Sequence, residues 1–474
     1  MPRPVWCNYV IIMQSDLFGK NITYEVVSSI IGSGYETDVA RLAIQDGIAY
    51  RAARKNMQIH SAVILKIEDR VEGFFTYQNN KEAGEFCLLQ STISPANFTE
   101  EAYCRMVKMV LEQNTEGYHA IITTDPKSKF ETPELFESLG FVTYLEMSGF
   151  CYMVRGDVSA VRMKYLAHIT MCNVWNSTSG RWLKSKREWN EKIEKQGAEA
   201  GVKNPKFASR DGCWQGGNGF SNVVLTKRTV EDGEIKVDSS KSLNGNASVL
   251  DPLACEIILR FFMPKDGRRV YNPFGGGVQF GFVSADCGYE YTASEIRQNQ
   301  CDANNAICAK LKGSAKWVKS DSSVYTPGFR PDLVFTCPPY YKVEEYLDYD
   351  GKPPPGELNA MGNYEEFRDT LFAGYRKAIE SLNDGCFFVV MTGDSRDKNG
   401  AYYCCESEHE IFFRDCGLSV YNKIVYLECE FTRLAHAKKT LHQRKFPKRE
   451  QKIIVAYKGD IREIKKRFAN IGRL

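Results

Sequence analysis

The segment Asp332-Leu333-Val334-Phe335-Thr336-Cys337-Pro338-Pro339-Tyr340-Tyr341 is an apolar run that ends in a Pro-Pro-aromatic corner. The unbroken apolar character predicts a buried parallel strand. Two successive prolines then fix φ at about −65° and remove two backbone donors, so pairing stops in one rigid shape. The Cys337 and Pro338 carbonyls are left to accept hydrogen bonds beside the aromatic face of Tyr340. An exocyclic amino group on a planar base needs that combination, acceptors for its N–H bonds and a ring to stack on. A Tyr340 packed only into the core is the alternative for that side chain.

The elements that must position this corner precede it. Arg268 to Tyr271 runs as a strand into Asn272-Pro273-Phe274-Gly275-Gly276-Gly277, followed by a helical stretch from Val278 to Asp286. A second strand, Tyr289 to Ser294, closes on Glu295. Glycines between a strand and a helix let the backbone approach a ligand, and an acid roughly 20 residues on can accept from ribose hydroxyls. Trp317-Val318-Lys319-Ser320 predicts a third strand ended by Asp321, either a ligand contact or a plain helix N-cap. With Leu333 to Thr336 and Cys386 to Met391, the alternation predicts a doubly wound α/β sheet whose ligands lie at the strands' carboxyl ends.

These motifs, in this order from about Asn246 to Asp460, resemble the phage and prophage DNA amino-methyltransferases. The glycine segment Asn272 to Gly277 is similar to that family's Asp-Pro-Phe-x-Gly-Gly motif, and Cys337 to Tyr340 to its (Asp/Asn/Ser)-Pro-Pro-(Tyr/Phe) motif. Asp251-Pro252 and Gly393-Asp394-Ser395-Arg396-Asp397 are also similar to family segments. The resemblance implies a Rossmann-like S-adenosylmethionine methyltransferase sheet that transfers a methyl to the exocyclic amino nitrogen of adenine or cytosine in DNA. It assigns catalysis to Cys337, Pro338, Pro339 and Tyr340. It assigns the cofactor to Asp251, Asn272, Pro273, Phe274, Gly275, Gly276, Gly277, Glu295 and Asp321, the last accepting from the cofactor's adenine amino group. Two positions depart from the family: Asn272 stands where Asp is usual, and Cys337 where Asp, Asn or Ser is usual. Because a thiol is a weak acceptor, the Pro338 carbonyl would carry more of the amino contact. A nucleophilic Cys337, as in cytosine C5 methylation, is the alternative. The target base has to leave the duplex to reach such a site.

At 474 residues the chain is long for one core, and two or three domains are expected. Residues 1–155 read as an α+β domain: two strands about the charged turn Glu68-Asp69-Arg70, a strand from Glu85 to Ser94, a helix from Thr99 to Leu111, a strand to Thr124, a helix before Phe141 and a closing strand to Tyr152. Gly140 fits a helix C′ position. This order and the phrase Phe136-Glu137-Ser138-Leu139-Gly140-Phe141 resemble the GNAT acetyltransferase-like fold. Ser94-Pro95-Ala96-Asn97-Phe98 stands where that fold has its glycine-rich pyrophosphate loop, so an acyl-coenzyme A grip has little support, and an accessory role is the alternative. Residues 156–245 read as a polar connector carrying Trp175, Trp182, Trp189 and Trp214. Its basic helix from Arg181 to Trp189 either lies on phosphates or is pinned to a neighbouring domain by its tryptophans. Gly212 to Asn222 and Glu231 to Asn246 are loop-like. Residues 246–474 form the methyltransferase-like domain.

DNA contact is expected on Phe431 to Glu450, a basic excursion carrying Arg433, Lys438, Lys439, Arg444, Lys445 and Lys448, with His436, His442 and Phe446 available for closer contacts. A solvated loop is the plain alternative. Tyr341 to Met361 reads as a lid or target-facing loop beside the proline corner. The net charge of +3 does not by itself mark a nucleic-acid binder. Sixteen cysteines without a Cys-x-x-Cys pair, including adjacent Cys404 and Cys405, suit reduced thiols, and six histidines at no metal-ligand spacing argue against a zinc site. No signal-like leader or long apolar run is present, so an intracellular protein in a bacterial host cytoplasm is expected. Two other functions stay open: a DNA-hypermodification acyltransferase resembling the Mom type, with the C-terminal domain reading the base, and a non-catalytic DNA-binding protein.

Overall fold

The computed structural model describes residues 11–15, 21–45, 61–80, 85–93, 99–115, 119–124, 131–147, 149–156, 158–202, 227–231, 234–238, 250–342, 346, 353–428 and 440–468. The chain divides into two compact units, Met1–His168 and Ile169–Ala469. The predicted connector is therefore shared out. The helix Val158–Ile169 belongs almost wholly to the first unit, and the rest of the connector to the second. Among the described residues no helix is long and apolar enough to cross a membrane.

The first unit is built on eight strands: β1 (Ile11–Ser15), β2 (Asn21–Val27), β3 (Ser61–Ile67), β4 (Arg70–Asn80), β5 (Glu85–Ile93), β6 (His119–Thr124), β7 (Val142–Met147) and β8 (Phe150–Arg155), in the spatial order β1-β2-β3-β4-β5-β6-β8-β7. Every pairing is antiparallel except β5 with β6, which run parallel for three residues, Glu85 to Cys87. Alternation along the strands serves two cores. Val26, Val63, Leu65 and Phe75 face the helix Glu100–Glu112, and Val27, Ala62, Ile64 and Phe74 face the helix Glu36–Gln45. The β3–β4 turn is tighter than the sequence implied. Glu68 and Asp69 both take positive φ, 50° and 64°, the two-residue geometry whose twist matches a hairpin, and Arg70 already belongs to the strand. Gly140 does end its helix: its φ is 84°, and Phe141 N–H reaches the Phe136 carbonyl at 3.0 Å, the paired closure of a Schellman motif.

The second unit begins with β9 (Val174–Asn176) and the helix Gly180–Glu199. β10 (Lys227–Glu231) and β11 (Glu234–Asp238) form an antiparallel hairpin, whose second strand falls in the Glu231 to Asn246 stretch expected to be loop-like. Alternating Ile235 and Val237 after the Asp232-Gly233 pair in the sequence carried that signal. The helix Pro252–Phe262 follows. Then come β12 (Arg269–Asn272), the helix Gln279–Asp286, β13 (Glu290–Glu295), the helix Gln298–Cys308, β14 (Ser314–Lys319), β15 (Leu333–Thr336), the helix Tyr364–Ser381, β16 (Cys386–Thr392), the helix Cys405–Asp415, β17 (Ser419–Leu427) and β18 (Glu450–Lys458). Their order is β14-β13-β12-β15-β16-β18-β17-β9. Strands β12 to β16 are parallel, and β18 enters antiparallel to β16. All seven residues of β16 are buried, as a strand covered on both faces requires. Successive strands run outward from β12 to β14, then return to β15 on β12's other side, so the order reverses between β12 and β15. In a doubly wound Rossmann-like sheet such a switch point opens a crevice at the carboxyl ends of those two strands.

Candidate active site

The glycine segment and the proline corner leave the sheet at the two sides of that crevice. A cleft of about 590 Å³, open to solvent, lies there, and its lining includes Pro273, Phe274, Gly275, Gly276, Glu295, Asp321, Cys337 and Pro339. Eight of the thirteen catalytic and cofactor residues expected from sequence therefore line one solvent-open cleft.

Close packing explains the glycines. A Cβ on Gly275 would sit 2.9 Å from each of Ala293 Cβ, the Ser294 carbonyl and Trp317 Cδ1, while its N–H donates to the Ser294 carbonyl at 2.7 Å. Gly276 has a φ of 53°, the left-handed region that disfavours side chains. This turns its N–H onto Glu295 Oε2 at 2.8 Å, and Asn304 Nδ2 holds its carbonyl at 2.9 Å. Glu295 is thus tied to the turn it was expected to face. Its Oε1 also accepts from the Arg297 N–H at 3.0 Å and Nε at 2.9 Å, and Oε2 meets Arg297 Nη2 at 3.4 Å. Burial disfavours the Arg297 charge, but Glu295 outweighs it and raises the guanidinium pKa. Arg297 also lies 4.8 Å from the Tyr346 ring centroid. Asp321 caps a turn rather than a helix, its Oδ1 accepting from Ser323 N–H at 2.8 Å, and it also borders the cleft beside Gly356.

Tyr340 is half-buried beside the corner. Its hydroxyl donates to Gln451 Oε1 at 2.6 Å, Cys337 Sγ lies 3.5 Å from that hydroxyl, and the Gly393 backbone abuts the ring edge. The ring is therefore clamped at its rim. Pro338 is buried and, like Tyr340 and Gly277, is not among the cleft's lining residues.

Two expected cofactor residues serve the fold instead. Asp251 caps the Pro252–Phe262 helix through the Leu253 and Ala254 N–H groups. Its Oδ2 accepts from Tyr426 Oη at 2.7 Å and Trp182 Nε1 at 3.1 Å and pairs with Lys186 at 2.9 Å. Burial alone would raise its pKa, but the Lys186 ammonium and these donors hold it below the ordinary carboxylate value. Asn272 is buried, with Nδ2 donating to Tyr291 Oη at 3.0 Å and Oδ1 accepting from Phe274 N–H at 3.0 Å. An amide has the donor and acceptor that this position uses, whereas a carboxylate lacks the donor.

Sequence reasoning missed Arg297, Ile296, Ser322 and Thr370 in the lining. The segment expected as a lid contributes Tyr346, Gly356, Glu357 and Leu358. Of the expected DNA contacts, Arg433, Lys438 and Lys439 lie outside the described residues, as does His436. Lys448 is committed to an ion pair with Glu406, Arg444 is exposed and Lys445 is half-buried.

No family model matches the chain, and no curated protein matches it. Parts of it resemble solved structures. TrmN from Thermus thermophilus is 14% identical with a TM-score of 0.28, over 44% of this chain and 49% of that one, so this chain spans about half the length of that relative. Magnesium protoporphyrin IX methyltransferase from Synechocystis PCC 6803 is 11% identical with a TM-score of 0.27, over 44% and 78%. A methyltransferase from Pyrococcus furiosus is 17% identical with a TM-score of 0.29, over 44% and 84%. The fold class rests on the strand order and not on these scores.

Proposed function

We propose that the Ile169–Ala469 unit is an S-adenosylmethionine-dependent methyltransferase acting on the exocyclic amino group of adenine or cytosine in DNA, in phage or prophage DNA modification. The observation that carries this reading is a cleft at the switch point, which joins the glycine turn, the acids ending β13 and following β14, and Cys337 and Pro339 of the corner. Its donor set suits the cofactor. Glu295 and Asp321, at and just past the ends of neighbouring strands, would take the ribose hydroxyls and the adenine amino group, with Ile296 and Tyr346 supplying apolar surface. A ribose hydroxyl at Glu295 would replace its longest contact, Arg297 Nη2. When bound, the cofactor supplies an electrophilic methyl group.

The protein's part is orientation. The Cys337 and Pro338 carbonyls accept the two amino N–H bonds of an extruded base, which draws the nitrogen's lone pair out of conjugation. Tyr340, clamped by Gln451 and Gly393, offers a ring face for stacking. Proximity and alignment supply most of the rate, and no strong base is required before attack, because the proton leaves after the nitrogen becomes cationic. For the first unit, the single parallel pairing inside an antiparallel sheet supports a GNAT-like accessory domain.

Purified protein, plasmid DNA and methyl-labelled S-adenosylmethionine test the reading. Label should enter DNA with wild type and be lost with Tyr340→Ala and with Gly276→Asp. Equal incorporation in both variants would refute the site.

A further inference from the structure

We propose that Phe446 is the wedge that fills the stack vacated by the extruded base, an inference that rests on the DNA reading above. Phe446 is 76% exposed, so its ring has no packing role to explain it. A lone exposed apolar side chain is ordinary, but this one has a particular place and particular neighbours. Strand β18 starts where β16 ends, with Lys452 opposite Thr392. The segment before β18 therefore sits at the carboxyl-end rim where the proline corner lies. Gln451, which holds the Tyr340 hydroxyl at 2.6 Å, is five residues from Phe446, a chain span of at most about 17 Å.

The surroundings are cationic and aromatic. Exposed Arg444 and half-buried Lys445 precede the ring directly, and Lys445 lies against Gly400 in the turn after β16. In that turn Arg396 stacks 3.6 Å from the centroid of Tyr402, itself 41% exposed. Phosphates would meet Arg444, Lys445 and Arg396. An exposed apolar ring next to Arg444 and Lys445 in the chain suits insertion between base steps, where Phe and Leu serve as wedges in other DNA-bending proteins. Charge complementarity selects DNA over a second copy of this basic surface.

The test uses full-length protein with S-adenosylhomocysteine and plasmid DNA, reading affinity by gel shift and unpaired adenines and cytosines by chloroacetaldehyde reactivity. Wild type should bind and create discrete reactive bases. Phe446→Ala should bind within about threefold of wild type while reactivity falls about tenfold, the scale of a lost stacking contact. Phe446→Leu should retain most of the signal. If Phe446→Ala leaves reactivity unchanged while both proteins bind, the wedge is wrong and the DNA reading survives. If wild type binds no plasmid, the functional reading fails and takes the wedge with it. Affinity falling in step with reactivity, or a change in sedimentation of the free protein, would make Phe446 a plain contact or a self-association residue and overturn the proposal.

Discussion

Tyr340 shows how much one side chain is asked to do. Its ring is to stack on a base while its hydroxyl is spent on Gln451, so the two roles separate by substitution. Tyr340→Phe keeps the ring and should hold methyl transfer within about tenfold of wild type. Tyr340→Ala removes a stack worth about 1–3 kcal/mol and should lose about 10- to 100-fold in kcat/KM. Equal losses in both would place the contribution in the hydroxyl. His409 makes a different residue-scale statement. It is fully buried, with Nδ1 on the Cys405 carbonyl at 2.7 Å and Nε2 facing the Tyr375 hydroxyl at 3.2 Å, which assigns a neutral ring donating from Nδ1. Burial lowers its pKa from 6.5 to about 4. Between those values the unfolded chain binds the extra proton, so the contribution to stability is complete above pH 6.5 and is lost as pH falls toward 4. The loss reaches roughly 3 kcal/mol. Urea titrations across that window should show a steeper acid slope for wild type than for His409→Gln, and parallel slopes would contradict it. Residues tied to backbone geometry, Gly275, Gly276, Glu295 and Asp321, were legible in the sequence because strand–turn–acid spacing is a local signal. Arg297 was not, because its place in the lining follows from its ion pair with Glu295 at the end of β13, and Asp251 misled because an Asp-Pro helix start looks the same whether it caps a helix or meets a ligand.

At the scale of elements, the Gly180–Glu199 helix was read as either a phosphate-binding surface or a pinned helix, and its tryptophans favour pinning. Trp182 donates to Asp251 and packs on Tyr426 with centroids 5.8 Å apart. Trp189 donates to Glu256 Oε2 at 2.8 Å and meets Phe282 edge-on. Spacing of seven puts both rings on one face, which periodicity shows, but which neighbour they bury against is a tertiary fact. Trp189→Ala should cost about 3–5 kcal/mol in urea unfolding, against less than about 1 kcal/mol for exposed Arg187→Ala. Similar small losses in both would mean the helix is not pinned there. The C-terminal strands were legible to within three residues because their apolar runs end in Gly, Pro or charge. The antiparallel insertion of β18 between β16 and β17 was not, since pairing between strands far apart in sequence leaves no local mark.

For the whole molecule, the contact division at His168 and Ile169 predicts that residues 169–469 fold alone. That fragment should unfold cooperatively and bind S-adenosylmethionine within about threefold of the full chain by calorimetry, a difference under about 0.7 kcal/mol. A fragment that fails to fold would make the units interdependent. The most direct measurement of the central claim is mass spectrometry of nucleosides from DNA of cells expressing the full chain. The cleft and its proline corner predict a single added methyl on the exocyclic nitrogen of adenine or cytosine, strongly reduced with Tyr340→Ala. A methyl on cytosine C5 would instead put Cys337 forward as a nucleophile, and no methylated base at all would contradict the assignment of this cleft to DNA.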